Sequence, residues 1–94
     1  MLEIRTPSSG QVELVGRLDA SEAERADQAL RAMTGSLRLD CSGLDYISSA
    51  GLGVLIELHK RLLAAGQTLT LANLGPRVRN VFMYAGLDRL LNIE

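Results

Sequence analysis

The segment Leu39-Asp40-Cys41-Ser42-Gly43-Leu44-Asp45-Tyr46-Ile47-Ser48-Ser49-Ala50-Gly51-Leu52-Gly53-Val54-Leu55 joins two different periodicities. Upstream of it, Leu37 and Leu39 alternate with Arg38 and Asp40, the period-two pattern of a strand. Downstream, Leu52, Leu55, Ile56, Leu62 and Leu63 recur at helical spacing and make one broad apolar face. The patterns predict a strand over Ser36–Asp40, a loop of small polar residues over Cys41–Ser49, and a helix over Ala50–Ala65. Gly66 is the expected helix stop. Ser48 and Ser49 stand at the helix start, and either can cap it, an interaction worth about 1 kcal/mol. Gly51 and Gly53 in the first turns cost about 1 kcal/mol each against alanine. Small residues there let a backbone or a ligand approach closely. The free N–H groups and the positive dipole end also suit an anion. Gly51-Leu52-Gly53 lacks the third glycine of a dinucleotide fingerprint, and no Gly-Lys-Ser/Thr follows as in a P-loop. The chain therefore shows no nucleotide site of its own.

Outward from this junction the chain reads as short elements with clear punctuation. Leu2 and Ile4 alternate with Glu3 and Arg5 in a first strand, and Pro7-Ser8-Ser9-Gly10 is a turn. Val12, Leu14, Gly16 and Leu18 form a second strand, antiparallel to the first. Asp19-Ala20-Ser21 opens a helix, with Ser21 and Glu24 at capping-box spacing. Ala23, Ala26, Leu30 and Met33 form its apolar stripe, Asp27 and Arg31 pair one turn apart, and Gly35 is the expected stop. On the next helix Glu57 can pair with Lys60 and Arg61. Thr68–Leu71 is a further strand. Pro76 suits the first position of a third helix. Val78, Val81, Phe82 and Ala85 are its stripe, and Gly86 ends it. Leu87–Leu91 can add one more helical turn before Ile93. The order is β-β-α-β-α-β-α. This is an α/β chain: one domain over residues 1–94, a mixed sheet of four to five strands, and three to four helices mainly on one face.

Composition narrows the function. Of 94 residues, 47 % are hydrophobic but only 3 % aromatic, so the core must be aliphatic. Ten basic residues face eleven acidic ones, a balance without the electrostatic footprint of a nucleic-acid binder. One cysteine, Cys41, and one histidine, His59, leave no internal disulfide, no multi-ligand metal site and no Ser-His-Asp triad. No metal or cofactor is expected, and no independent enzyme. The N-terminus lacks a leader-like apolar stretch, and no run approaches the ~20 residues that span a bilayer. A cytoplasmic module without membrane insertion is expected, and a monomer when free.

The remaining reactive residues have plainer readings. Cys41 reads as a small buried hydrophobe. His59, beside Lys60, reads as part of a solvated face. Asp40 and Asp45 read as acceptors for turn N–H groups. Arg77 and Arg79 read as solvated, or as facing an acidic partner. Met33 and Met83 read as filler, and Leu52 and Val54 as either buried or an exposed apolar anchor.

Ser48-Ser49-Ala50-Gly51-Leu52-Gly53 resembles the Asp-Ser-Ser/Thr-Gly-Leu-Gly-like signature of the STAS domain, in particular of the bacterial anti-sigma factor antagonists. Gly16-Arg17-Leu18-Asp19-Ala20 is similar to that family's segment before the first helix. Asn73-Leu74-Gly75-Pro76 and Gly86-Leu87-Asp88-Arg89-Leu90-Leu91 are similar to its C-terminal pattern. The resemblance implies partner switching. The unphosphorylated protein binds an anti-sigma factor, a GHKL-type serine kinase, and so frees a sigma factor. Phosphorylation by that kinase separates the pair, and a serine phosphatase restores binding. By position the phosphoacceptor is Ser49, with Ser48 the second choice. The partner surface carries over to Asp19, Ser48, Ala50, Gly51, Leu52, Gly53 and Val54. Ser48 replaces a frequent Asp, and Ala50 replaces a frequent Ser or Thr. The resemblance also allows a STAS subunit of a transport or signalling complex that binds constitutively. A small-ligand or nucleotide-binding domain is a third reading.

Overall fold

Alternation places Val12 and Leu14, Leu37 and Leu39, and Leu69 and Leu71 on one face of three neighbouring strands, where all six are buried. The computed structural model describes all 94 residues. Its elements are β1 (Leu2–Ser8), β2 (Gln11–Leu18), α1 (Ala23–Arg31), β3 (Leu37–Ile47), α2 (Ser49–Ala64), β4 (Leu69–Ala72), α3 (Pro76–Tyr84) and β5 (Asn92–Ile93). The five strands lie in the order β1-β2-β3-β4-β5. β1 pairs antiparallel with β2, and every later pairing is parallel. Each parallel strand is added on the same side of the last. Crossovers of one hand then leave their helices on one face of the sheet.

The opposite face is polar. Arg38 reaches Glu94 at 2.8 Å, and Asp40 accepts from the Asn73 side chain at 3.2 Å. Leucines dominate the core, with Phe82 as its one buried aromatic.

Several expectations need correction. β3 is eleven residues long, so Cys41–Ile47 is strand and not loop. Its second half pairs with Val15–Leu18, and two register shifts in that ladder absorb the small polar residues. The Ser21–Glu24 capping box does not form. α1 starts later, with Glu22 at its N-cap position, because the Ser21 hydroxyl donates to Asp19 instead. α1 also ends at Arg31, short of Gly35. Leu87–Leu91 is a hydrogen-bonded turn leading into β5, which makes three helices in all. Leu63 and Ala85 sit outside the apolar faces assigned to them. Arg61 donates to the Leu30 carbonyl rather than pairing with Glu57. His59 is buried, not solvated, and its Nδ1 has no partner.

β1 also runs on through Pro7 and Ser8, which leaves only Ser9 and Gly10 to the turn. Three local readings hold. Asp27 and Arg31 pair at 2.6 Å, Pro76 opens α3, and Gly66 and Gly86 take the left-handed conformation past α2 and α3.

Candidate functional site

The C-terminal ends of β2 and β3 lie side by side, because the two strands are parallel. β3 runs almost directly into α2 and β2 reaches α1 after four residues, so both helices start at this end of the sheet. The Ser48 N–H donates to the Leu18 carbonyl at 3.0 Å and ties the two junctions together. That bond sets Asp19, the next residue, beside the start of α2.

Ser48 is the N-cap. Its backbone is extended, and its hydroxyl accepts from the Gly51 N–H at 3.2 Å. Ser49 is the first residue of the helix, is exposed, and has no hydrogen-bond partner on its hydroxyl. The two serines that sequence leaves interchangeable are thus distinct. One hydroxyl is occupied by the helix, and the other is free. No acidic residue occupies the first turn of α2 itself.

The two glycines also separate. A Cβ on Gly51 would lie 2.6 Å from the Leu18 carbonyl oxygen and 2.9 Å from Ile47 Cγ1. Only glycine lets α2 start this close to β2 and β3. A Cβ on Gly53 would meet nothing within 4 Å. Gly53 and Leu52 are half-exposed and Ala50 is exposed, while Gly51 points inward. Val54 is 9 % exposed and belongs to the core, so it is no exposed anchor.

Asp19 Oδ1 accepts from the Ser21 hydroxyl at 2.7 Å and from the Ser21 N–H at 3.1 Å. The Ser21 hydroxyl is the main reason its carboxyl is held below the usual aspartate range. The Arg17 Nε stands 3.7 Å from Asp19 Oδ2, and its guanidinium lies over the Tyr46 ring, 4.2 Å from the centroid. Neither Arg17 nor Tyr46 was singled out by sequence. The register Arg17↔Tyr46 that brings them together depends on the bulged pairing of β2 with β3.

Cys41 is fully buried, and burial pushes its thiol up to about 12, which keeps it neutral and unreactive. Asp40, which lies inside β3, accepts from the Ser42 N–H at 3.0 Å, whereas Asp45 has no such bond. No group of three or more His, Cys, Asp or Glu side chains is placed to hold a metal ion. No helix is long and apolar enough to cross a membrane.

This fold, with a serine at the start of α2, is that of a STAS domain. Residues 2–92 match the family model described as Mlab, STAS domain, and the chain belongs to that family. Among its relatives is BtrV of Bordetella bronchiseptica, described as a candidate anti-sigma factor antagonist. It is 40 % identical over 77 residues, covering 78 % of this chain and 66 % of that protein. The anti-sigma-B factor antagonist of Listeria monocytogenes is 27 % identical, covering 99 % of this chain and 87 % of that one. The fold is shared with an anti-sigma factor antagonist from Mycobacterium paratuberculosis. That structure has a TM-score of 0.81 and 22 % identity, with 99 % of this chain and 83 % of that one covered. It is shared also with the Bacillus cell fate determinant SpoIIAA in its phosphorylated form. There the TM-score is 0.72 and the identity 19 %, with 100 % of this chain and 91 % of that one covered.

Proposed function

We propose that this protein is an anti-sigma factor antagonist that works by partner switching. Its unphosphorylated form binds an anti-sigma factor that is a GHKL-type serine kinase, and the sigma factor is released. The kinase transfers the terminal phosphoryl group of ATP to the Ser49 oxygen, ADP leaves as the bond to its terminal phosphorus breaks, the hydroxyl proton passes to solvent, and the complex separates. A serine phosphatase returns the binding form. The protein acts in the cytoplasm as a monomer when free, without nucleic acid and without catalysis of its own.

One observation carries this reading: the Ser49 hydroxyl is exposed and unpartnered at the N-terminus of α2, while Ser48 is occupied as the cap. A phosphate adds about −1.5 to −2 charge. At this helix end that charge is favourable by roughly 0.3–1 kcal/mol, so the fold tolerates it. The same hydrated dianion inside a protein interface costs desolvation and repulsion. The switch is therefore intermolecular. The partner surface consists of Asp19, Ser48, Ser49, Ala50, Leu52 and Gly53, with Gly51 holding the helix in place from behind.

The test is incubation with the cognate anti-sigma factor and ATP, followed by mass spectrometry and circular dichroism. One phosphate on Ser49, an unchanged spectrum and loss of binding are expected. Ser49→Ala keeps binding and takes up no phosphate, and Ser49→Asp binds weakly. An Asp variant that binds as tightly as the wild type overturns the switch.

A further inference from the structure

β1 is the outer strand of the sheet, and one of its edges faces no other strand. At the opposite border β5 is two residues long, whereas β1 runs for seven. A free edge of that length is a template for pairing with another chain. The hairpin decides which of its groups point outward. The Met1 carbonyl accepts from the Arg17 N–H at 2.9 Å, so Met1 faces β2. Antiparallel ladders alternate, so the main chain of Leu2, Ile4 and Thr6 faces away from β2. Beyond Thr6, Pro7 and a register shift end the regular edge.

Leu2 does not stand open. Its N–H donates to Glu22 Oε2 at 2.6 Å, and its carbonyl accepts from the Arg25 guanidinium. Glu22 and Arg25 are themselves joined at 2.8 Å. The carboxylate takes the N–H and the guanidinium takes the carbonyl, as the main chain of a next strand would. Glu22 stands at the N-cap position of α1, yet its side chain makes no cap bond. It is turned to β1 instead. Arg25, and after it the Leu2 N–H, hold the Glu22 carboxyl below the usual glutamate range, so at neutral pH it is an ionised acceptor.

The edge itself suits one occupant. Glu3 and Arg5 flank Ile4 and point to the open face of the sheet. Pairing two copies of β1 antiparallel about a two-fold axis at Ile4 sets Glu3 of each opposite Arg5 of the other, and Leu2 opposite Thr6. Opposite charges directly across a ladder favour pairing, and a two-fold contact makes both pairs at once. Arg5 also touches Glu3 of its own strand, but both side chains stay more than half exposed, and the four charges of such a dimer alternate in sign. With Leu2 occupied in both copies, only the central Ile4 pair can form main-chain bonds.

We infer that β1 is a self-association edge for a second copy of this chain, and that the Glu22–Arg25 pair guards it. The pair fills the Leu2 positions that the other β1 would use, and so holds the chain as a monomer. The inference does not depend on partner switching.

Sedimentation over a concentration series, with circular dichroism as the check on folding, tests this. The wild type should sediment as a monomer. Arg25→Ala frees the Leu2 carbonyl, and Glu22→Ala with Arg25→Ala frees both groups. Each should raise the self-association constant, the double variant by about tenfold or more. Its Ile4 and Thr6 amides should gain protection from hydrogen exchange as concentration rises. Adding Arg5→Glu to the double variant sets like charges across the two-fold axis and should restore the monomer. A folded double variant that stays monomeric overturns the inference. If the double variant unfolds, Arg25→Ala decides alone, since that side chain is half exposed and its loss leaves the core intact. A folded Arg25→Ala that associates no more than the wild type then overturns it. A wild type that dimerises overturns the guard. A dimer that Arg5→Glu leaves intact, or that protects other amides, overturns the β1 edge.

Discussion

α1 and α2 start at the same end of the sheet, each after a strand; one serine stands at the entry to α1 and two at the entry to α2. Their chemistry differs. At α1 the entry serine and the carboxylates of Asp19 and Glu22 are engaged internally. The Ser21 hydroxyl donates to Asp19, and the Glu22 carboxylate accepts from the Leu2 N–H at 2.6 Å and from Arg25 at 2.8 Å. Arg25 in turn donates to the Leu2 carbonyl, so this start of α1 is stitched to β1. At α2 one serine caps the helix and the next is left free, in a turn without charge. The α1 start holds the hairpin to the helical layer. The α2 start is held by close packing at Gly51 and presents an uncommitted hydroxyl. A modification site needs that second arrangement: a rigid backbone and a side chain whose change breaks no internal bond.

The largest expected break of this contrast is Gly51→Ala. The added carbon would meet the Leu18 carbonyl and both flanking side chains, and overpacking of this kind costs about 1–3 kcal/mol. Thermal unfolding should show it, and partner binding should fall as the start of α2 is pushed outward. Stability equal to the wild type would show that the close approach is not rigid.

Next comes Ser48→Ala, which removes the cap and should cost about 1 kcal/mol. Ser21→Ala and Ser49→Ala should each stay within about 0.5 kcal/mol. Denaturant midpoints of the three variants rank the serines. An equal loss at Ser48 and Ser49 would erase the distinction between cap and acceptor.

Gly53→Ala goes the other way. Nothing lies within 4 Å of the added carbon, and alanine in a helix gains roughly 0.5–1 kcal/mol over glycine. A higher melting temperature is expected. A stable variant with weakened partner binding would place the partner's backbone against Gly53.

The smallest effect is on pH dependence. The Asp19 carboxyl is held low by the Ser21 hydroxyl, and that of Asp40 by the Ser42 N–H and the Asn73 side chain. Both favour the folded state above about pH 4, the ordinary aspartate value. That contribution is lost as pH falls through their lowered folded values. Melting temperatures measured from neutral to acid pH should fall less steeply for Asp19→Asn than for the wild type.

The periodicity of leucines in Val12–Leu18, Leu37–Leu39 and Leu69–Leu71 was enough to read strands, their inward face and the helical layer. Side-chain period depends on local backbone geometry alone. Pro76, Gly66 and Gly86 likewise marked helix ends, because their constraints on φ act within one residue. The motif Ser48-Ser49-Ala50-Gly51-Leu52-Gly53 located the site through its resemblance to STAS domains. The length of β3 was not legible. Cys41–Ile47 has the composition of a loop and becomes strand only by bulged pairing with β2, a contact made far along the chain. Two local motifs also misled. Ser21 has capping-box spacing, but Asp19 takes its hydroxyl first. His59 sits among charges in sequence, but its side of α2 is turned into the core. Which serine caps and which is free, and which glycine is required, were decided by tertiary structure. Both depend on how near Leu18 and Ile47 come to the start of α2, and a distance between strands leaves no periodic trace in the residues of the helix.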